Sequence, residues 1–480
     1  MLLSSTRCSN RKLRRTLSRL CNTCLSFLMQ QSARNCTNAR RWIAVAVLFS
    51  LCMVTFFLLG TMRLPPHLNP DTSKWLPYKS QPVKDKLWFE HSCLKTGTPD
   101  VFEDLEVMMT EWRKSKDKEC RKLFFTFLKL FRLTFQEAEI VIPDAFSSKV
   151  RKWLGNKEEL FAEAKKQKII SVYNRYTREQ NVYNPIRSKR PMSIPKIPER
   201  QYIDQIARET KDSCDFCKYK DSTAQDVFGR IDNKYSYSAS NTFKLDRWHA
   251  LFMLKSHHPH NWTQEQFLDL MLTSQQWFDK VYKIDSSYKY PSLIWDLLPH
   301  AGASQVHPHI HGFLDKDAYQ GVMELWKKAA LDYNTEVPDH NYFTDIIEMH
   351  SILGLTVNYG KAVAFANLVP KRDNEIVIVS EKADRDFYLL WYYVMRGFLD
   401  DMGDGSLCFS SGIALPSMTG VTGSNSLPAY VRILTRGPVA DIRADVSSLE
   451  LFAASNANTD PYRIIKVMQR SVKNRGARTR

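Results

Sequence analysis

The alternation of apolar and polar positions predicts an α+β chain in which a helical region precedes two halves of mixed structure. Residues 91–200 carry apolar clusters of helical character and end in a proline-rich linker. From about residue 201 the pattern predicts strands at 242–254, 305–313, 362–368 and 376–380, and helices from Thr263 and over 383–400. We therefore predict one α+β half at 201–330 and a second at 331–460.

One apolar run differs from all the others in length. The segment Trp42–Gly60 contains no charged residue, and as a helix it would span roughly 28 Å, close to the thickness of a bilayer core. It follows 41 residues, which places it too far along the chain for a cleaved signal peptide. The pattern predicts a transmembrane signal-anchor at 42–60, between a basic tail at 1–41 and a proline-rich stem at 61–90.

The net charge of +17 is concentrated at the two ends of the chain. Residues 1–41 contain many Arg and no acid, and a second basic tail is predicted at 461–480. Because the cytosolic flank of a membrane helix carries the excess of Lys and Arg, we predict a single-pass type II membrane protein with a lumenal catalytic region, in the Golgi or ER. This distribution favours a membrane partner, through 42–60, and argues against nucleic acid.

The most informative stretch is Gly302–Phe313, in which His307, His309 and His311 alternate. On a β-strand this spacing places the three imidazoles on one face, which favours a polar pocket or a metal site over a satisfied core. A neutral imidazole can attack phosphorus and leave again, or it can bind zinc. Ser304 and the backbone N–H groups of the preceding turn could hold phosphate oxygens.

Upstream residues supply further metal-binding side chains. Cys214 and Cys217 form a Cys-x-x-Cys pair, and three histidines follow at 257, 258 and 260. Two thiolates, one of these histidines and His307 would complete a tetrahedral Cys2His2 zinc shell. Such a closed shell would be structural and would leave His309 free for chemistry.

The stretch Gly-Ala-Ser-Gln-x-His-Pro-His resembles the histidine-triad (HIT) superfamily, in the branch of the galactose-1-phosphate uridylyltransferases, diadenosine-tetraphosphate phosphorylases and GDP-hexose phosphorylases. The resemblance implies an antiparallel sheet with helices in two HIT-like halves, and no organic cofactor. It also implies that His309 is the nucleophile and forms a nucleotidyl-histidine intermediate. Further residues take their roles from this resemblance: zinc binding by Cys214, Cys217, His307 and His260 (with His257 and His258 as close competitors), and substrate binding by Asn241, Phe243, Gly302 and Gln305.

One position departs from the transferase pattern. The transferases have Gln two residues after the nucleophile, whereas this chain has His311, as HIT hydrolases do. We therefore predict a membrane-anchored nucleotidyltransferase, phosphorylase or hydrolase of nucleotide sugars or dinucleotides, with His309, His311 and Ser304 as catalytic residues. A homodimer is left open.

Two other classes of function compete with this one. A Golgi glycosyltransferase would have a similar anchor and would use an Asp-x-Asp metal motif, for which Asp315 and Asp317 are the candidates. A binding protein could instead have kept the HIT fold and lost the chemistry. Loss of activity on changing His309 would argue against both.

Overall fold

The computed structural model describes residues 84–189, 197–420, 427–440 and 448–477. The predicted basic tail at 1–41, the predicted anchor at 42–60 and residues 61–83 of the predicted stem lie outside these ranges. The fold and the site are therefore built from the rest of the chain.

The prediction of a single-pass type II membrane protein with a lumenal catalytic region is corrected by the structure. Within the described residues, no helix combines the length and the apolar character that are needed to cross a bilayer. The helix Gln264–Ile284 is long enough, but it carries charged side chains and packs on a sheet. The predicted Golgi or ER location is withdrawn for the same reason, and the described residues do not show the predicted membrane partner.

The described chain alternates between helices and strands. Its helices are α1 (Lys86–Cys93), α2 (Leu105–Arg113), α3 (Lys118–Leu130), α4 (Asp144–Trp153), α5 (Glu158–Lys165), α6 (Glu199–Lys211), α7 (Tyr219–Ser222), α8 (Gln264–Ile284), α9 (Val322–Glu336), α10 (Tyr342–Ile352), α11 (Arg385–Arg396) and α12 (Pro461–Gly476). Its strands are β1 (Phe131–Glu139), β2 (Lys166–Asn174), β3 (Gln180–Tyr183), β4 (Ser236–Ser240), β5 (His249–Leu254), β6 (Tyr290–Asp296), β7 (His309–Asp315), β8 (Thr356–Tyr359), β9 (Ala362–Ala366), β10 (Ile376–Ser380), β11 (Phe409–Ala414), β12 (Ala429–Thr435) and β13 (Ala454–Ser455).

A nine-stranded antiparallel sheet forms the centre of the fold, in the order β4-β5-β7-β6-β11-β12-β10-β9-β8. This confirms the predicted α+β class with an antiparallel sheet. The order is the same when read outward from either side of the β6–β11 pair: β6, β7, β5, β4 on one side and β11, β12, β10, β9 on the other. The sheet therefore consists of two halves with equivalent strand order.

The register of the sheet shows which residues are equivalent in the two halves. Ile294 of β6 lies opposite Gly412 of β11 near the middle of their pairing. On the next strands, Ile294 pairs with His311 and Gly412 pairs with Arg432. Arg432 on β12 therefore occupies the position that His311 occupies on β7.

Helices α8 and α11 cover one face of this sheet. Helix α8 begins where the sequence predicts, because Thr263 and Gln266 form a reciprocal capping box at its first turn. Its buried positions recur three and four residues apart, which gives a continuous apolar face: Phe267, Leu270, Met271, Ser274, Trp277, Phe278 and Val281. This face packs on β4, β5 and β7 and holds the first half in place.

The region predicted as helical also contains strands. β1, β2 and β3 form a second sheet with β13, which comes from the far end of the chain. Along β1 the more buried residues are Phe131, Leu133 and Phe135, with exposed residues between them. This period of two is that of a half-buried strand, so β1 forms although the apolar run before it belongs to α3.

The cysteines beyond residue 83 fall into three environments. Cys93 and Cys120 form a disulfide that joins α1 to α3. Cys214, Cys217 and Cys408 form no disulfide within the described residues, and Cys408 is buried with its Sγ 3.1 Å from the carbonyl oxygen of Leu297. Because Cys214 and Cys217 lie in one cluster, Cys408 accounts for the odd number of cysteines in this part of the chain.

Candidate active site

Strand β7 presents its histidines on the face of the sheet that the helices leave free. His309 and His311 alternate with Ile310 and Gly312, which face the helix layer. Gly312 is needed there because a Cβ atom would lie 2.3 Å from Cε2 of Phe252, whose ring packs against α8. The His-x-His-Gly pattern therefore combines a polar face with close packing behind it.

The His309 ring is held in one tautomer. Its Nδ1 lies 2.8 Å from the carbonyl oxygen of His307, which can only accept, so Nδ1 carries the proton. The neutral ring then has its lone pair on Nε2. The side chain is 3% exposed, and burial lowers its pKa, which keeps the ring neutral at physiological pH. These are the properties of a nitrogen nucleophile.

A hydrogen bond from His249, on the neighbouring strand, determines which ring nitrogen of His311 carries the proton. The backbone N–H of Leu245 donates to Nδ1 of His249 at 3.1 Å. The neutral His249 ring therefore carries its proton on Nε2 and donates it to Nδ1 of His311 at 3.0 Å. Burial lowers the pKa of His249 to about 4 and that of His311 to about 3. His311 is thereby left with an N–H donor at Nε2.

His249 is a member of this site that the sequence does not indicate. In the sequence it stands beside Trp248 in an apolar strand and has the appearance of a packed strand residue. Only the pairing of β5 with β7 brings it next to His311. The one sequence feature that could have indicated a role for His249 is its place at the first position of a strand.

Asn241 and Phe243 lie in the loop that connects β4 to β5. The amide nitrogen of Asn241 is 3.2 Å from Nε2 of His249, a contact between two proton-bearing nitrogens and not a hydrogen bond, and the amide oxygen of Asn241 accepts the backbone N–H of Phe243 at 2.9 Å. The Phe243 ring is 86% exposed. The structure thus places both residues beside the histidines, with an aromatic face that is open to solvent.

The turn before β7 contains Gly302, Ser304 and Gln305. Gly302 has φ +115°, a left-handed conformation that favours glycine. Ser304 is exposed, and its side chain makes no hydrogen bond to any residue that the structure describes. The structure therefore places these three residues next to the histidine strand, without a direct bond from Ser304 to His309 or His311.

Residues of the second half reach this turn through Asp296 of the first half. Asp296 ends β6, and its negative charge raises the pKa of His309, against the larger lowering effect of burial. Its carboxylate accepts the hydroxyl proton of Ser410 at 2.5 Å. Arg436 donates to Ser410 Oγ and to the Ala301 carbonyl oxygen, both at 2.8 Å. The sequence alone gave no signal for these residues because they meet only across the β6–β11 pair.

Four potential metal ligands meet beside His309. They are Cys214, Cys217, His257 and His307, and their ligand atoms lie within 4.8 Å of one another. The Nδ1 atoms of the two histidines are 3.3 Å apart, and Cys217 Sγ lies 3.3 Å from that of His257. Among the residues described, this is the one group of three or more such side chains that could hold a metal ion.

The Nε2 atoms of His307 and His257 make hydrogen bonds outside this cluster, and these bonds leave the Nδ1 lone pairs directed into it. Nε2 of His307 donates to the carbonyl oxygen of Leu254 at 2.6 Å. Nε2 of His257 lies 3.1 Å from the Thr210 hydroxyl, which donates its own proton to Ile206 and therefore accepts here. Both rings thus present an unprotonated Nδ1 to the thiols, the arrangement that a zinc site needs. The donor set fits a tetrahedral Cys2His2 zinc ion.

The structure places His257, and not His260, in this cluster. The Nε2 atom of His260 is instead 2.9 Å from the carbonyl oxygen of Leu407. His258 pairs with Asp204 at 3.0 Å. The reason is the register of β5 and β7, in which Met253 pairs with His309, so that a residue soon after β5 comes close to His307. His260 lies further along, at the approach to α8.

The Cys-x-x-Cys loop also covers the candidate nucleophile. Phe216 lies between the two cysteines, and its ring centroid is 5.2 Å from that of His309 and 5.8 Å from that of His307. The Tyr237 hydroxyl fixes the loop by donating to the Phe216 carbonyl oxygen at 2.5 Å. A metal ion that holds this loop would therefore also shape the surroundings of His309.

The Asp-x-Asp motif has a different environment from the histidines. Asp315 ends β7, and burial and the neighbouring Asp246 raise its pKa to about 7. Asp317 lies on an exposed bend beyond the strand. Neither belongs to the group of candidate metal ligands, so the described residues give no support to the glycosyltransferase alternative.

The face of β12 that is equivalent to the histidine face of β7 is closed. The Arg432 side chain is 11% exposed there and donates to Glu179 at 2.7 Å and to Glu375 at 2.9 Å. Lys371, a residue close to this pair in the fold, lies 3.5 Å from Glu179. The second half therefore carries a buried ion-pair network where the first half carries the histidines.

Comparisons with solved structures show which folds the chain is similar to. An ADP-glucose phosphorylase of Arabidopsis thaliana, solved with ADP-glucose bound, is 15% identical, with a TM-score of 0.47 over 61% of this chain and 95% of that chain. A uridylyltransferase is 10% identical, with a TM-score of 0.41 over 51% and 86%. A yeast Ap4A phosphorylase, solved with AMP, is 11% identical, with a TM-score of 0.29 over 68% and 97%.

These three proteins are named for activities of the branch that the histidine motif resembles. No protein-family model matches the sequence, and the comparison with curated proteins gives no match. With identities of 15% or less and TM-scores below 0.5, the similarity is one of fold. The function has to be argued from the side chains of the site.

Proposed function

We propose that this protein transfers a nucleotide through a covalent intermediate on His309. The observation that carries the proposal is the 2.8 Å hydrogen bond from Nδ1 of His309 to the His307 carbonyl oxygen. It fixes the proton on Nδ1 and aims the Nε2 lone pair away from the backbone. A neutral, oriented imidazole is both a good nucleophile toward phosphorus and a good leaving group.

In the first step, Nε2 of His309 attacks the α-phosphorus of the substrate. A P–N bond forms, and the P–O bond to the other half of the substrate breaks, with the electron pair leaving on that oxygen. The Nε2–H of His311 and the hydroxyl of Ser304 are the donors that would stabilise the developing charge. The positive charge on the His309 ring is stabilised by its Nδ1–H bond to the His307 carbonyl oxygen.

In the second step, an acceptor attacks the same phosphorus and the P–N bond breaks. The His309 ring returns to its neutral state, and the acceptor loses its proton to solvent or to a nearby base. Because His311 stands where the transferases have Gln, we propose water or inorganic phosphate as the acceptor. The first gives hydrolysis of the substrate and the second gives phosphorolysis.

Nucleotide sugars or dinucleotides are the proposed substrates, because both join a nucleotide to a second phosphate-bearing half. Asn241 and Phe243 flank the His249–His311 pair, and Phe243 offers an exposed ring on which a base can stack. Gly302 and Gln305 belong to the turn that would lie along the phosphates. The base that stacks on Phe243 would determine which nucleotide the site prefers.

We propose that zinc is bound by Cys214, Cys217, His257 and His307. A zinc ion with this closed shell supplies structural stability and no open coordination position. Two contacts would connect this zinc site to the nucleophile. The His307 carbonyl oxygen accepts the hydrogen bond from Nδ1 of His309, and the Cys-x-x-Cys loop packs Phe216 against the His309 ring.

The test is the intact mass of the full chain after brief incubation with UDP-glucose, GDP-glucose, ADP-glucose or diadenosine tetraphosphate. The expected result is an acid-labile increase equal to one nucleoside monophosphate. His309→Gln should show no increase. His91→Gln, a change at an exposed position in α1, should behave as the wild type. Turnover of any of these compounds by His309→Gln at the wild-type rate, or no adduct in the zinc-loaded wild type, would overturn the proposal.

A further inference from the structure

Helix α12 presents a row of cations on its exposed face. Arg463, Lys466, Arg470 and Lys473 are three and four residues apart, which places them on one side of the helix. All four are exposed, while the opposite face is buried against β8, β9 and α11. The apolar half of α12 explains why the helix packs where it does. Of the four cations, Lys466 alone makes an ion pair with a residue that the structure describes, Asp100.

These cations line a groove of about 840 Å³. Its other wall is formed by the chain around Asp100, by Asp401 and Met402 after α11, and by Asn374. A groove of this volume falls within the range of small-molecule sites, which is roughly 300–1,000 Å³. The cations of α12 therefore face an open groove with a second wall, and not a flat helix surface.

The acidic residues of the groove are already engaged. Asp100 pairs with Lys466 at 3.1 Å, and Asp401 pairs with Arg475 at 2.6 Å. Asp460 accepts the backbone N–H of Phe102 at 2.9 Å. Asp100 and Asp401 are thus ion-paired and Asp460 is held by backbone N–H groups, so none of the three carboxylates pairs with Arg463, Arg470 or Lys473.

Three cations are left over. The side chains of Arg463, Arg470 and Lys473 make no ion pair or hydrogen bond to any residue that the structure describes. They extend over roughly 15 Å of the helix axis, at 1.5 Å per residue. Three like charges that face one groove repel one another, and a bound polyanion would remove this repulsion.

We propose that the groove along α12 binds a polyphosphate chain, either free or as the tail of a nucleotide. Guanidinium groups bind phosphate oxygens with two parallel hydrogen bonds, and a lysine adds a point charge. A short chain of phosphates carries its charges in a line, as the three cations do. The volume of the groove suits such a small molecule and is too small for a nucleic-acid duplex.

This groove is separate from the histidine site. α12 packs on the helix side of the sheet, at β8 and β9, whereas His309 and His311 face the other side. Four strands lie between β7 and β9 in the sheet order, which puts the two regions about 24 Å apart at the usual strand spacing. The proposed polyphosphate binding is therefore independent of the proposed nucleotidyl transfer.

The experiment is calorimetric titration of the full chain with sodium tripolyphosphate and with ATP at low ionic strength. The triple variant Arg463→Gln, Arg470→Gln, Lys473→Gln should bind tripolyphosphate at least about tenfold more weakly, because charge-assisted hydrogen bonds are lost. The control is Lys118→Gln, Lys122→Gln, Lys129→Gln, which removes three exposed cations from α3. It should change the affinity by less than about twofold.

Two outcomes contradict the proposal: no binding of tripolyphosphate to the wild type, or an equal loss in the groove and control variants. Equal affinities for tripolyphosphate and ATP would support a free polyphosphate as the ligand. Tighter ATP binding that is also lost in the groove variant would support a nucleotide. Binding to the His309 site would be insensitive to the groove variant and is distinguished in this way.

Discussion

Nε2 of His249 donates a hydrogen bond to Nδ1 of His311 across 3.0 Å, and this bond determines which nitrogen of His311 carries a proton. The direction is set by a third group, the backbone N–H of Leu245, which occupies the other nitrogen of His249. The Leu245 N–H, the His249 ring and the His311 ring form a chain of hydrogen bonds, and the chain leaves a proton on Nε2 of His311. A proton donor is therefore in place beside His309 before substrate binds.

This relationship makes His249 a positioning residue whose loss is measurable. His249→Leu should slow formation of the nucleotidyl adduct by about 10- to 100-fold, because His311 can then adopt either tautomer. His249→Gln can accept from Leu245 through its oxygen and donate to His311 through its amide, so it should keep most of the wild-type rate. Single-turnover rates of adduct formation measure the difference. Equal rates for the Leu and Gln variants would show that the tautomer of His311 is irrelevant.

The metal ligands are distinguished by a pair of variants. His257→Ala should lower zinc affinity by at least about 100-fold, since a ligand is lost from a closed shell. His260→Ala should retain one zinc per chain, although it lowers thermal stability by removing a buried side chain. Metal content after dialysis against a weak chelator decides between them. Retention of zinc by His257→Ala together with its loss from His260→Ala would contradict the placement of the ligands.

The ion-pair network of the second half predicts an effect on stability. Arg432→Met leaves the buried carboxylate of Glu375 without its cation and that of Glu179 with Lys371 alone, and this should lower the free energy of unfolding by about 3–5 kcal/mol. Adding Glu179→Gln and Glu375→Gln should restore part of the loss because no buried charge remains unpaired. Arg121→Met on the exposed face of α3 is the control. Urea unfolding of the four proteins gives the values, and a loss for Arg432→Met no larger than that for Arg121→Met would show that the network is not stabilising.

The pKa of Asp315 predicts a pH dependence of stability. Burial and Asp246 raise it to about 7, above the ordinary value of an aspartate, which is about 4. A carboxyl with a raised pKa adds stability below its unfolded pKa, and this stability is lost as the pH rises through the folded value. Asp315→Asn, which stays neutral, should therefore unfold at a higher temperature than the wild type at pH 8 and at a similar temperature near pH 4.

The control for this prediction is Asp317→Asn, which changes an exposed carboxylate on the bend after β7. Its melting temperature should follow that of the wild type across the same pH range. A wild-type curve that is parallel to that of Asp315→Asn from pH 4 to pH 8 would show that folding does not raise the pKa of Asp315. Adduct formation by Asp315→Asn would in addition speak against a catalytic role of the Asp-x-Asp motif.

Much of the candidate site could be predicted from the sequence because it depends on local spacing. The alternation of His309 and His311 needs only the two-residue period of a strand to place both rings on one face. The Cys-x-x-Cys pair and His307 are likewise recognisable as metal-binding types at metal-binding spacing. Sequence spacing cannot identify the fourth metal ligand. Three histidines lie within four residues, and the one that reaches the other ligands is determined by the register of β5 against β7.

The sequence by itself determined the α+β class, the start of α8 at its Thr263 cap and the chemical character of the histidine strand. Only the tertiary structure decided that His257 joins the group of potential metal ligands, that His249 sets the tautomer of His311, and that Arg432 fills the equivalent position in the second half. The physical reason is the range of the interactions. Caps and periodicity act within a few residues, whereas strand pairing and burial join residues that are tens to hundreds of positions apart.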